Sequence, residues 1–469
     1  MDNTARRRRP AAIRVLAGLL LFGASVGLMP AGPAPLWAAA QNGTRADAQA
    51  SVPDGAMNLE TAIRLALANN ERAIKADQNM LVADARLAKA KAVFLPQLSV
   101  SGSYTRRPFE VARLIGNQNI IVQSYNGLSG AANLSMTLFD SKSLPALLGA
   151  NADLETEGYN TADGKRNLAF EVGTSFLGTL SQDQVLEASR RRMEYAKQSL
   201  DAARARFSAG LVSANDVTRA ELEFATAEMG VTQVQGQVDS SYLGLGYLMN
   251  APAPSKLTVP DFLLKAVDES IAPVDQLIAQ AQTRRSDVLA LRSKSRSQHA
   301  LTIEPSLRWL PTLTLNGRYS YTNEAGLTGK NFNWNAGLSM SWSVFDGLTR
   351  NGEFSERKAL AFQADLDVQA GLRKVDLDVR SAIVSLESQR AGLKKAAVAH
   401  DIAVRNAAET AELYRQGLSS ALQVADANVR LFEATVDLVR ARYGLGLTYL
   451  NLESALGLDP LGKEPNLEY

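Results

Sequence analysis

Apolar residues recur every seven positions over two long stretches of this chain. One stretch carries Val217, Phe224, Val231, Val238 and Leu245, with Ala220, Ala227, Val234, Ser241 and Leu248 three places behind. The other carries Val424, Leu431, Leu438, Leu445 and Leu452, with Ala427, Ala434, Ala441, Thr448 and Ala455. Two apolar positions per seven, held this long, predict coiled-coil seams rather than broad globular helix faces. The stretches lie 207 residues apart and open on related turns, Ala209-Gly210-Leu211-Val212-Ser213 and Gln416-Gly417-Leu418-Ser419-Ser420. Upstream, Val172, Thr179, Leu186, Met193, Leu200 and Phe207 correspond to Val379, Leu386, Leu393, His400, Ala407 and Tyr414. These upstream arms, 142–207 and 351–414, contain no proline except Pro145. Each is long enough for roughly 100 Å of helix. The chain is a duplication.

Each copy opens with an amphipathic helix, one from Asn58 to Phe94 and one from about Pro273 to Trp309. Both end at Leu-Pro steps, Leu95-Pro96 and Leu310-Pro311, where proline forbids helix continuation. Beyond the prolines the period drops to two. Leu98, Val100, Gly102 and Tyr104 alternate with serines, and Ala132, Leu134, Met136 and Leu138 with Asn133, Ser135 and Thr137. In the second copy Leu313, Leu315, Gly317, Tyr319 and Tyr321 form one strand and Trp334, Ala336, Leu338, Met340, Trp342 and Val344 the other. The spacing between copies is 215 before the first strand and 206 at Phe139-Asp140 and Phe345-Asp346, so the first copy has the longer hairpin loop. Strands of this length, apolar on one face with Tyr and Trp toward their ends, fit membrane-spanning strands. By themselves they fit two half-buried hairpins of a soluble sheet equally well. Four strands cannot close a barrel, since the smallest take about eight, and open edges do not sit in lipid. A membrane barrel therefore needs several chains, and three would supply twelve strands.

Charge and composition narrow the class. Residues 1–40, with Arg6-Arg7-Arg8-Arg9, an apolar run from Val15 to Met29 and Ala38-Ala39-Ala40, read as a secretory signal. Without its five arginines and Asp2 the remainder is near neutral, which gives no electrostatic case for nucleic acid. Cysteine is absent, which excludes disulfides, thiolate metal sites and a lipidated cysteine. Past residue 40 no apolar run is long enough for a transmembrane helix. The expected organisation is a signal peptide (1–40), a linker (41–56), a first repeat (57–250), an inter-repeat linker (251–272), a second repeat (273–458) and an unstructured tail (459–469).

The ordered set of Leu59-Glu60-Thr61-Ala62, Leu95-Pro96-Gln97-Leu98, the two Gly-Leu turns and the closing Tyr449-Leu450-Asn451-Leu452-Glu453-Ser454-Ala455-Leu456-Gly457 resembles the outer-membrane efflux protein family of TolC-like channels. The resemblance covers nearly everything from Met57 to Leu458. It implies a mixed, mainly α fold: duplicated coiled-coil hairpins with four strands per chain, contributing to a shared twelve-stranded barrel in a homotrimer. It also implies an outer-membrane location with a long periplasmic extension. The function implied is a passive exit duct of a tripartite efflux pump or a type I secretion system, with a periplasmic adaptor and an inner-membrane pump as partners and outer-membrane lipid around the strands. A periplasmic coiled-coil scaffold without a barrel is the alternative, and buried rather than lipid-exposed Tyr319, Tyr321 and Trp342 would mark it.

By the same resemblance, Gly210, Leu211, Gly417 and Leu418 form adaptor-docking tips, and Asp426, with Asp216 a weaker candidate, lines a periplasmic constriction. Gln423 stands where the family often adds a second acid. Tyr104, Tyr319, Tyr321, Trp334 and Trp342 are candidate membrane-interface aromatics. His299 and His400 are too far apart in the chain to suggest a metal site. No nucleophile triad, phosphate loop or carboxylate pair is present, so no catalytic, cofactor or metal residue is assigned.

Overall fold

The computed structural model describes residues 56–115, 118–253, 256–260, 271–324 and 330–464. The leader expected over 1–40, the following linker as far as residue 55, and residues 465–469 lie outside these. The first repeat runs α1 (Leu59–Asn69), α2 (Glu71–Ala92), β1 (Gln97–Arg106), β2 (Val111–Ile115), β3 (Gln118–Gln123), β4 (Asn126–Phe139), α3 (Ser143–Ser208) and α4 (Ala214–Met249). The second runs α5 (Val274–Arg284), α6 (Ser286–Leu301), α7 (Glu304–Leu307), β5 (Thr312–Thr322), β6 (Phe332–Ser341), α8 (Thr349–Arg415) and α9 (Ala421–Ala455).

The duplication is expressed in the packing. Val172, Phe176 and Thr179 of α3 are buried, and so are their counterparts Val379, Ile383 and Leu386 of α8. At the other spacing, Ile63, Ala66 and Ala73 match Ile278, Ala281 and Val288, all buried. Each set belongs to its own apolar core, and α9 serves both. Tyr443 and Leu450 enter the first core, Leu445 and Leu452 the second. A helix seven residues per two turns presents adjacent faces to two neighbours, so one heptad helix can join both repeats.

The expected seams are inward. Val424, Ala427, Leu445, Leu452 and Ala455 are buried, with Leu431, Ala434, Leu438, Ala441 and Thr448 half-buried between them. Phe207 is the exception; it ends its heptad row on an exposed surface beside the tip. Laterally, α3 packs against α2 and α6 along one part of its length and against α4 and α9 along the other, while α8 packs against α6 and α9. The helices thus form a layer whose free edges are α8 on one side and α2 and α4 on the other.

Three expectations need correction. The opening helices are each broken rather than continuous. Asn70, at ψ 134°, leaves the helix, accepts from the Arg72 amide (2.9 Å) and donates to Leu248 O (2.9 Å). Arg285, at ψ 121°, breaks the second opening helix at the equivalent position. The apolar period runs through both breaks because Asn and Arg pass as surface residues in a helix; here both are buried. Strand β6 ends at Ser341, before the expected Val344, where the Trp342 indole N–H donates to Trp309 O (3.0 Å). The tail is ordered as far as residue 464. Asp459 closes a turn onto the Lys463 and Leu461 amides, and Arg284 binds Glu464 at 2.6 Å.

Candidate functional site

The two tips are built by helix-capping chemistry at both ends of a five-residue turn, 209–213 and 416–420. At the first, the Gly210 amide donates to Phe207 O (2.9 Å) and the Leu211 amide to Arg206 O (2.9 Å). At the second, the Gly417 amide donates to Tyr414 O (3.1 Å) and the Leu418 amide to Leu413 O (2.8 Å). That pair of bonds is the Schellman motif, and it requires a left-handed residue. Gly210 (φ 73°) and Gly417 (φ 80°) supply it. The returning helices start with reciprocal capping boxes, Ser213 with Asp216 and Ser420 with Gln423. In such a motif the residue after the glycine ordinarily folds back on its helix. Leu211 and Leu418 instead remain 74 % and 73 % exposed. Each tip thus holds an apolar side chain outward on a turn that is capped at both ends.

The candidate constriction acids differ in kind. Asp216 occupies the third helical position, and its carboxylate accepts from the Ser213 amide (3.1 Å) and hydroxyl (2.9 Å). Gln423 is its counterpart in the second repeat, which explains the glutamine there: an amide oxygen closes the same box. Asp426 is exposed and pairs with Arg430 one turn later (2.9 Å). Sequence reasoning passed over that pair, although acid and arginine four apart on a helix are a legible signal. It also passed over Arg206, which crosses from the first tip to the second. Its guanidinium donates to Tyr414 O (3.0 Å) and lies 4.1 Å from the Tyr414 ring centroid.

At the other end the strands form one antiparallel sheet in the order β1-β4-β5-β6. Its register aligns like with like across all four strands. Leu98, Leu134, Gly317 and Ala336 form one cross-strand row; Val100, Ala132, Tyr319 and Trp334 form another. On the opposite face Ser99, Asn133, Arg318 and Asn335 are aligned, as are Ser101, Ala131, Ser320 and Asn333. One face is therefore apolar and the other mainly polar.

Tyr104, Tyr319 and Trp334 are exposed, toward the loop end of the strands. Tyr321 is half-buried against the Phe332 ring, 5.0 Å away. Trp342 is exposed at the helix end, beside Trp309. β1 and β6 are edges without a further partner strand among the described residues. No described helix is long and apolar enough to cross a membrane. No cluster of His, Asp and Glu suited to a metal ion occurs among the described residues. His299 lies 3.0 Å from Asp365, and His400 is half-buried on its seam.

The profile of the outer membrane efflux protein family matches residues 62–251 and 277–458, one match for each repeat. The chain belongs to that family. The TolC outer membrane protein of Vibrio cholerae is 24% identical to it over 307 residues, 63% of this chain and 66% of the relative, just under two thirds of its length. Among solved structures, the CmeC outer membrane channel of Campylobacter jejuni superposes with a TM-score of 0.73 at 17% identity, covering 87% of this chain and 86% of its own. The MtrE outer membrane channel of Neisseria gonorrhoeae gives 0.72 at 16% identity, covering 88% and 91%. The fold is that of these channels, and the family places the chain in the outer membrane with its helices extending into the periplasm.

Proposed function

We propose that three copies close head to tail into a channel that serves as the passive exit duct of a tripartite efflux or type I secretion system. The observation that carries this reading is the four-stranded sheet with one apolar face, one polar face and two edges without a further partner strand among the described residues. An open edge in lipid leaves backbone groups without partners, so β6 of one copy must meet β1 of the next. A head-to-tail interface that closes gives a ring, and twelve strands lie within the range of membrane barrels. The helix layer supports the same closure. Its free edges carry exposed apolar residues at heptad spacing, Leu377, Val384 and Val398 on α8 against Leu222, Met229 and Leu243 on α4.

In this reading the polar sheet face lines the pore and the apolar face meets lipid. Leu211 and Leu418 dock a periplasmic adaptor, which couples the duct to an inner-membrane pump. Asp426 lines the periplasmic mouth, with Arg430 moderating its field, while the Asp216 carboxylate serves the first tip's cap. The transported substrate is selected by the pump.

Detergent-purified protein tests the reading by light scattering and planar-bilayer recording. A trimer giving discrete ion currents is expected. A monomer without currents would sink it.

A further inference from the structure

The loop between β1 and β4 contains its own two-stranded sheet, β2–β3, and nothing equivalent is described in the loop between β5 and β6. We infer that this hairpin folds over the pore and meets its copies from neighbouring chains, narrowing the outer mouth. The inference rests on the trimeric barrel proposed above.

Three observations carry it. The first is the side of the sheet on which the hairpin is tied. Arg107, at its base, pairs with Glu324 from the other loop, and Glu324 also accepts from the Ser124 amide (3.0 Å) and hydroxyl (3.2 Å). Both charged groups crowd one face of Gly127: a Cβ built there would lie 3.1 Å from Glu324 Oε1 and 3.2 Å from Arg107 Nη1. Gly127 pairs with Thr105, which shares its face with Ser103, Ser101 and Ser99. That face is the polar one, the pore side of the barrel. A side chain at this position would press on the ion pair.

The second observation is reach. Twelve strands about 4.8 Å apart, tilted about 40°, give a circumference of roughly 75 Å and a radius of roughly 12 Å. A hairpin whose arms are five and six residues long extends for about 15 Å. A hairpin leaning inward from the rim thus reaches the axis, where two counterparts arrive by symmetry.

The third is chemistry. Ala112, Leu114 and Ile121 share one face of the hairpin by register, and Leu114 and Ile121 are exposed on it. Phe109 is exposed at the base. Apolar residues on an element tied to the pore side have no lipid to face. Another copy of the same face removes them from water.

The absence of cysteine makes the test direct, because an introduced cysteine is the only thiol in the chain. Leu114→Cys, in trimers verified by light scattering, is treated with a short bis-maleimide. Cross-linked dimers are expected, with Ile121→Cys as the second position should Leu114→Cys not assemble. Glu324→Gln in the same background should reduce the cross-linked fraction at least about threefold by releasing the base of the hairpin. In the cysteine-free parent, Glu324→Gln should raise single-channel conductance by about twofold or more. Intact trimers whose thiol accepts a monofunctional maleimide but never cross-links would overturn the hairpin inference and leave the channel reading standing. A protein that does not trimerise would overturn both.

Discussion

The two repeats share their buried positions and differ where they touch something else. Thr179 and Leu386, or Ala66 and Ala281, hold the same places in the same helix packing. The junctions between strand and long helix do not match in this way. In the first repeat Asp140 accepts from the Ser143 hydroxyl at 2.5 Å and little more holds the turn. In the second, Thr349 stands where Ser143 does and bonds back to Asp346 O (2.9 Å), and Arg350 beside it adds a clamp. Its guanidinium donates to Asp346 (2.7 Å), Ser343 O (2.7 Å) and Arg308 O (3.2 Å), and lies 4.1 Å from the Trp309 ring centroid. The turn it grips includes two consecutive left-handed residues, Gly347 and Leu348. A leucine in that conformation is strained and persists only where its surroundings enforce it. Duplication preserves what packs helices, and divergence marks what each copy does by itself.

The largest effect should therefore come from the asymmetric junction. Arg350→Ala removes a buried guanidinium together with its ion pair to Asp346 and its bonds to the Ser343 and Arg308 carbonyls, and should lower the urea midpoint clearly. Ser143→Ala removes one hydrogen bond and should cost about 0.5–1.5 kcal/mol. Urea unfolding of the two variants would show whether the junctions differ as stated; equal midpoints would mean that Arg350 is not the clamp.

Next comes the core position shared by the repeats. Leu386 is fully buried, and Leu386→Ala should cost about 2–5 kcal/mol, the range for removing a large aliphatic side chain from a packed site. At the matching place Thr179 already bonds back to Ser175 O (2.9 Å), so Thr179→Val should cost only about 1 kcal/mol. A comparable loss in both variants would mean that the two cores are not packed alike.

These differences show how far the residues speak before the structure does. The heptads, the proline boundaries and the alternating strands were legible because each is a local period imposed by one element's geometry. The longer first loop was legible as a change in spacing, but its β2–β3 sheet was not, because residues 107–125 show no sustained alternation. Asn70 and Arg285 were misread as interior helix positions. Their roles depend on Leu248 and Asp378, which are far away in sequence. Arg206 and Glu324 were silent for the same reason: a lone charge announces nothing until its partner from the other repeat is placed beside it. The tips are legible as glycine-leucine turns, and the spacing of Asp426 and Arg430, four apart on one helix, is a legible signal of their pair.

The two helix breaks offer a pH test of the comparison. Asn70 is neutral, and the ion pair beside the first break, Arg72 with Glu171, is exposed. The second has Arg285 bound to Asp287 (2.7 Å) and Asp378 (2.8 Å). Burial pushes the Asp287 carboxyl up, but bonds and charge from Arg285 outweigh it and hold the group below the ordinary carboxylate range. A lowered folded value means the stabilisation is complete above the unfolded pKa of about 4 and is lost as pH falls through the folded one. Hydrogen exchange at acid pH should therefore show α5–α6 loosening before α1–α2. Asp287→Asn should abolish that order, and the same order in the variant would argue against this ion pair as its source.

The smallest effects belong to the tips, and they separate docking from constriction. Leu211 is exposed and contributes little to the fold, so Leu211→Ser should leave trimer stability within about 0.5 kcal/mol while lowering adaptor-dependent export. Asp426→Asn removes one member of an exposed i,i+4 pair and should leave stability essentially unchanged. Because Arg430 offsets the acid, the variant should shift cation selectivity only slightly. Arg430→Ala leaves the carboxylate uncompensated and should shift selectivity further toward cations. Bilayer recordings of the two variants at low ionic strength distinguish the possibilities, since screening shortens the reach of exposed charges. Opposite shifts in selectivity would place the pair at the pore mouth. Identical currents from both variants would show that Asp426 faces away from the permeation path, leaving the exposed leucines as the functional element of the tips.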